Sequence, residues 1–316
     1  MLDIRRLVLL RDLAEHGTVT AVAELHRVTA SAVSQQLKQL EAETGVRLLD
    51  RDGRSVRLTA AGHALAADTE PVLAALEQAR ARMSALAGRA AGPFRVACFT
   101  SALAPLAAPL SALLEHDHPE LRVHITEAEP EASLPLLRHR RTDLAVIYRY
   151  TNLATPDPVG IETRPLLHDP LLAVLHADHP AARAAVGGGP MPLAALAGTP
   201  WITAAEGTAC REAVLHACRA AGFGPQIRHV CTDFAAMLAL AAVGGQVALV
   251  PRLALAALPP GLVARPLADP APARTVEVAV RRGSAGEPAV AACLTALELV
   301  AGAVRSDGGA GAGGDY

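Results

Sequence analysis

Four polar side chains, Ser31, Ser34, Gln35 and Lys38, are interleaved with Val33, Leu37 and Leu40, which fall at i, i+4 and i+7. On a helix over roughly 30–44 the apolar three make one buried stripe and the polar four share the other face. Ser, Gln and Lys reach base edges and phosphates when such a helix lies in a major groove. The same face also suits an ordinary solvated amphipathic helix. A second feature follows at once: Leu48-Leu49-Asp50-Arg51 and Arg54-Ser55-Val56-Arg57-Leu58 flank Asp52-Gly53, a dipeptide suited to the positive φ angles of a tight type I′ turn. Arg51 and Arg54 would stand on either side of that tip, where guanidinium groups straddle a phosphate backbone or enter a narrow minor groove. A solvated turn with incidental arginines is the plain alternative. Helix and hairpin together are far more specific than either alone.

Further along, Thr100-Ser101 directly follow the apolar run 94–98 and open a helix. Hydroxyls there, beside the unpaired amides of a helix N-terminus, bind a carboxylate or other anion, or simply cap the helix. Cys210 and Cys218 lie eight apart in a helical stretch, a span of about 12 Å, whereas a disulfide needs Cα atoms within about 7 Å; a bridge would require that helix to melt. The five cysteines are odd in number and show no short CxxC spacing, which argues against a disulfide scaffold or a structural zinc site and fits a reducing compartment. His116-Asp117-His118 and His176-Ala177-Asp178-His179 sit in polar stretches beside proline and are expected as solvated loops rather than metal sites. The chain lacks HExxH, GxSxG and a Gly-Lys-Ser/Thr phosphate loop. The GxGxxG match at Gly309, Gly311 and Gly314 lies in the terminal tail with no strand before it. Neither an enzyme nor a cofactor is expected.

The elements that must position these residues follow from the pattern of the chain. Its 316 residues predict two domains, and 51% hydrophobic with 19% charged residues suits a globular protein. Aromatics are only 3%, so Ala, Leu and Val must build the interior. No uninterrupted apolar run reaches the roughly 18 residues that cross a bilayer, and Met1-Leu2-Asp3-Ile4-Arg5-Arg6 lacks the order of an export signal; a cytoplasmic protein is expected. The formal charge of −2 advertises no global field for nucleic acid, so such a surface must be local.

Residues 18–25 predict a short helix before the one carrying Ser34 and Gln35, with His26-Arg27-Val28-Thr29 as the turn and Thr29 as cap, which is helix-turn-helix spacing. Residues 62–88 predict one long helix in which Leu65, Thr69, Val72, Leu76, Ala79, Met83 and Leu86 alternate spacings of four and three, the seam of a short coiled coil. Pro71 within it predicts a kink. After the linker Gly88–Pro93, β-branched runs alternate with Ala/Leu-rich stretches in β-α-β order, which predicts two α/β lobes on parallel sheets. Expected boundaries are 1–60 for a winged helix-turn-helix domain, 61–92 for the linker helix and hinge, and 93–305 for the two-lobed α/β domain. Within the last, one lobe covers about 93–165 and 266–305 and the other about 166–265. The Gly/Ala-rich tail 306–316 is expected to be disordered.

On Ala14-Glu15-His16-Gly17-Thr18-Val19-Thr20, Val28–Glu41, Gly45-Val46-Arg47-Leu48-Leu49 and Val56–Gly62, the chain resembles the LysR-type transcriptional regulators, bacterial winged helix-turn-helix proteins. Gly92–Ala97, His118-Pro119, Thr142–Ile147, Asp178-His179-Pro180, Ala220–Phe223 and Val243–Pro251 resemble that family's effector-domain landmarks more loosely. The resemblance implies a periplasmic-binding-protein-like α/β effector domain behind the linker helix. It assigns DNA contact to Thr29, Ala30, Ser31, Ser34, Gln35, Lys38, Arg51 and Arg54. It also implies a small, anionic effector at Thr100 and Ser101, with further walls at Thr126, Tyr148, Thr203 and Phe234. Implied partners are double-stranded promoter DNA at a pseudo-palindromic site, a second copy joined through the linker helix and in some cases a tetramer, and RNA polymerase if the protein activates; no membrane is implied. Many members have Gln-Pro where this chain has Ala30-Ser31, and Arg where it has Gln35, so Gln35 would prefer adenine over guanine. His26 stands where an apolar residue is usual, which predicts a shifted register for the preceding helix. Peroxide-sensing members use two cysteines near the region of Cys210 and Cys218, with the first here displaced by one position. The competing reading is a cytoplasmic solute-binding or enzymatic α/β protein with an incidental helical arm.

Overall fold

The computed structural model describes residues 2–52, 55–184 and 189–310. They divide into two units, Met1–Arg80 and Ala81–Tyr316. In the first, α1 (Ile4–His16), α2 (Val19–His26) and α3 (Ala30–Thr44) precede the hairpin β1 (Leu49–Asp52) and β2 (Ser55–Leu58), and α4 (Ala60–Ala87) leads out of it. Each early helix starts where an oxygen meets an orphan amide: Asp3 accepts from Arg5 N, Thr18 from Ala21 N and Thr29 from Ala32 N. Leu10, Leu13, Val22, Val33, Leu37 and Leu40 close the core between the three helices. His26 is a half-buried polar residue with a partner: its Nε2 lies 2.6 Å from Oδ2 of Asp12, which is fully buried. An apolar residue there would leave that carboxylate without this contact.

The second unit opens with β3 (Gly92–Cys98), a one-turn helix at Thr100–Ala102, α5 (Ala108–Asp117), β4 (Leu121–Glu127), α6 (Pro130–Arg138) and β5 (Leu144–Tyr150). Strands β3, β4 and β5 pair in parallel, as the alternation of strand and helix predicts. Next comes β6 (Ile161–His176), then α7 (Pro180–Ala184), β7 (Pro200–Thr203), α8 (Ala209–Ala220), β8 (Gln226–Val230), α9 (Phe234–Val243), β9 (Ala248–Pro251), β10 (Leu262–Arg265), β11 (Ala273–Arg281) and α10 (Pro288–Ala310).

The sheets are mixed rather than parallel. Late strand β11 runs antiparallel to both β5 and the first half of β6, while the second half of β6 pairs antiparallel with β9 and β10. The expected lobe boundary near 165 therefore falls inside one strand, and pairing changes hands at Pro170/Leu171. The second lobe reaches Leu267, which bridges Met191. Each lobe has two apolar clusters among the described residues: one with Val96, Leu106, Leu110, Val278 and Leu297 and one with Leu137, Ile147 and Ile161 in the first, and one with Leu175, Leu196, Trp201, Val214 and Leu249 and one with Ile202, Met237 and Val250 in the second.

Two further expectations change. Residues 306–310, assigned to the tail by composition, continue α10, while 311–316 lie outside the described residues. Segment Pro288–Ser306 is also long and apolar enough to cross a membrane by length and composition. Counting uninterrupted apolar runs passes over it because Thr295 and Glu298 break the run. In the structure Cys293, Leu297 and Ala301 of that helix are buried in the first lobe's core.

Candidate functional site

In the first unit, α3 separates its faces as its periodicity requires. Val33, Leu37 and Leu40 are buried, whereas Thr29, Ala30, Ser31, Gln35 and Lys38 are exposed and Ser34 is half-buried on their side. Thr29 Oγ1 is shared between the cap bond and Ser31 Oγ at 2.9 Å, so those two hydroxyls are held in register at the start of the helix. Arg27 closes α2 at φ 54 and turns the chain toward that start.

The hairpin is bound to α3 from beneath. Glu41 Oε1 accepts from the amides of Leu48 and Leu49 at 2.9 and 3.0 Å, and Thr59 Oγ1 donates to Arg47 O at 2.9 Å. Gly62 is the close approach that this docking needs, because a Cβ there would stand 2.3 Å from Leu48 O. Register Leu49↔Leu58 through Asp52↔Ser55 brings the strands to a tip between 52 and 55. Arg54 lies outside the described residues, as does the side chain of Arg51, whose backbone belongs to β1.

Along α4 the expected seam splits. Thr69 is buried with its hydroxyl on Leu65 O, and Leu65 packs on the first unit's core. Val72, Leu76, Met83 and Leu86 are exposed, the last two by 62% and 80%. Pro71 is accommodated within one continuous helix.

In the second unit, the start of the Thr100–Ala102 turn is a crowded polar site. Thr100 N and Oγ1 meet Glu129 Oε1 at 3.3 and 3.2 Å, and Thr100 Oγ1 donates to Glu127 Oε1 at 2.7 Å. Tyr148 donates its hydroxyl to Glu129 Oε2 at 2.9 Å. Burial, the Glu129 charge and this hydrogen bond push the Tyr148 phenol well up, so it stays a donor. The groups expected to receive an effector anion are thus already turned to a carboxylate of the chain itself. Ser101 Oγ accepts from Arg274 Nη2 at 2.7 Å, and Arg274 Nε donates to Asp169 Oδ2 at 2.7 Å. That guanidinium lies over the rings of both Phe99 and Tyr148, at 4.8 and 4.7 Å from their centroids.

Sequence reasoning placed the other walls unevenly. Thr126 is exposed on edge strand β4, but alternation turns it to the face opposite Glu127, and Glu127 is the residue that reaches Thr100. Thr203 is 2% exposed and its hydroxyl serves its own lobe, donating to Ala204 O and accepting from Arg211. Phe234 is partly buried against the cluster that contains Ile202, Ala204 and Met237. Missed altogether were Glu127, Glu129, Asp169 and Arg274. The first ends the second strand of a β-α-β unit and the second follows it, where a carboxylate faces the first strand's end, and that signal was legible.

Cys210 and Cys218 both lie on continuous α8. Burial raises both thiols, Cys218 to about 12. The histidine loops are spent on turn bonds: His176 Nδ1 accepts from Asp178 N, His179 Nδ1 from Ala181 N, and His179 Nε2 meets Thr199 Oγ1.

Comparison with known proteins agrees with both units. Residues 4–63 match the family model "bacterial regulatory helix-turn-helix protein, lysR family", and residues 87–301 match "LysR substrate binding domain". The chain is 28% identical over 288 residues to the Escherichia coli DNA-binding transcriptional dual regulator OxyR, covering 90% of each. Among solved structures it is similar to a full-length OxyR variant from Pseudomonas aeruginosa, with TM-score 0.60, 24% identity and 95% of each chain covered. Full-length CbnR complexed with its target DNA matches with TM-score 0.51 and 24% identity, covering 95% of this chain and 100% of that one.

Proposed function

The chain belongs to the LysR family, a DNA-binding transcriptional regulator with a small-effector domain, and from that premise we propose how it works: as a homodimer that can pair again into a tetramer, reading a pseudo-palindromic promoter site. The observation that carries this is the exposed face of α3, with Thr29, Ser31, Gln35 and Lys38 presented beside an anchored hairpin. Lys38 and the hairpin arginines supply phosphate contacts, and Gln35 reads a base edge.

The exposed apolar run Val72, Leu76, Met83 and Leu86 suits a second copy of the same helix, which would hold two reading heads at a set separation. The effector occupies the cleft at Thr100, Ser101 and Tyr148 and favours one arrangement of the assembly over another. It needs to bind that arrangement better by only about 1–3 kcal/mol. As an activator, the assembly on DNA contacts RNA polymerase.

We place the protein in the cytoplasm, acting without catalysis, resident metal or cofactor. Curated relatives include "hydrogen peroxide-inducible genes activator" proteins, but a thiol response is not part of this reading: Cys210 and Cys218 are held on one helix with raised thiol pKa values, which leaves little thiolate at neutral pH. Gel-shift titration on the intergenic DNA beside its own gene tests the proposal. Salt-sensitive, sequence-selective retardation is expected, and uniform weak binding to all duplexes overturns it.

A further inference from the structure

We propose that the effector cleft selects a ligand with an ammonium or guanidinium head group, and that Glu129, with Glu127, is the specificity determinant; this rests on the cleft being the effector site. Donors are scarce at the mouth of the cleft. The single Thr100 hydroxyl proton faces both Glu127 Oε1 and Glu129 Oε1, so it satisfies one carboxylate at a time.

Glu129 has two further donors, Thr100 N and the Tyr148 hydroxyl, whereas Glu127 has none besides Thr100 among the described hydrogen bonds. Neither carboxylate has an ion-pair partner among the described residues. Arg274, the basic group behind them, is occupied by Asp169 and Ser101. Two negative charges thus converge on one hydroxyl, with acceptor capacity left over. An incoming carboxylate would meet both at close range, while an N–H-rich cation would supply the missing donors.

A second, independent feature points to a ligand at the same place. Tyr150 is 3% exposed, and its hydroxyl makes no hydrogen bond of ordinary geometry. It lies on the same face of β5 as Tyr148, with the rings 5.4 Å apart, and beside the Cys210 thiol of the opposite lobe, a weak partner at best. A buried hydroxyl with only a thiol for company, beside the ring of Tyr148, is a place for a ligand's polar group.

The test uses the full chain with butylammonium, butylguanidinium and butyrate at matched ionic strength, read by the shift of the thermal midpoint and by the change in promoter binding. Magnesium and calcium chloride serve as separate arms. Expected is stabilisation by the two organic cations and none by butyrate. Glu129→Gln should weaken the cations about tenfold and admit butyrate, and Tyr150→Phe should weaken the cations without admitting butyrate. Circular dichroism establishes that both variants fold. Binding of butyrate in preference to the cations overturns the charge assignment while leaving the cleft as the effector site. A response to the divalent ions alone, or an unchanged preference in Glu129→Gln, also overturns it. Silence from every probe overturns both readings.

Discussion

Arg274 and Asp169 face each other across the antiparallel β11–β6 pair, joined at 2.7 Å with side chains 2% and 1% exposed. The pair stands where β6 leaves the first lobe's sheet for the second's, and Asp169 also accepts from the amide of Leu253 at 3.0 Å. Removing one member of a buried pair strands the other's charge, at a cost of about 3–5 kcal/mol. Arg274→Met and Asp169→Leu should each lower the urea midpoint by that order, while the double substitution recovers much of the loss. A double variant as unstable as the sum of the singles would refute the coupling.

Glu41 anchors the hairpin through two amides, so Glu41→Ala should destabilise the first unit by about 1–3 kcal/mol. It should also weaken DNA binding while α3 itself stays intact. Gly62→Ala should do the same by pushing on Leu48 O. Both effects are measurable by thermal unfolding and gel-shift, and normal binding in either variant would show that the hairpin does not depend on this anchor.

Lys38→Ala, and Arg51→Ala with Arg54→Ala, should weaken binding to all sequences alike and lower the salt slope by about one unit per lost phosphate contact. Gln35→Ala should chiefly relax base preference. Equal effects from the two kinds of change would remove the proposed division of labour.

A charge placed in the exposed run of α4, as in Leu76→Glu with Met83→Glu, should break self-association without unfolding either unit. Sedimentation reports the mass and circular dichroism the helix content. An unchanged assembly would move the interface elsewhere.

Three thiols, Cys98, Cys218 and Cys293, are raised from 9.0 to about 12, chiefly by burial. Between those values the folded state holds protons that the unfolded state has lost. Stability is therefore full below pH 9 and declines as pH rises toward 12, by about 1.4 kcal/mol per pH unit for each thiol. Cys293→Ala should flatten the alkaline limb of urea midpoint against pH, and an identical limb would exclude the thiol as its source.

Much of the first unit was legible because its pattern is local. Val33, Leu37 and Leu40 at helical spacing and Thr29 as cap are each decided by neighbours within a few residues. The polar group around Thr100 was legible in part. Thr100 and Ser101 stand out because a strand end followed by hydroxyls is a local signal, and Thr100 and Tyr148 meet at Glu129, whereas Thr126 is one residue from Glu127, which alternation puts on the opposite face and which reaches Thr100.

Periodicity and capping residues thus determined much of the order of elements and α3 ahead of its hairpin, and the resemblance carried by Val28–Glu41 and its flanking motifs pointed to the family. Only the folded chain decided which strands pair, and in which direction. Antiparallel β11 brings Arg274 beside Asp169, separated by 105 residues, and Ser101, separated by 173. Such partners are chosen by long-range register and burial of charge, which leave no mark on the spacing of either residue's neighbours. For the same reason the sequence showed hydroxyls ready for an anion, and the tertiary structure showed Glu129 already facing them.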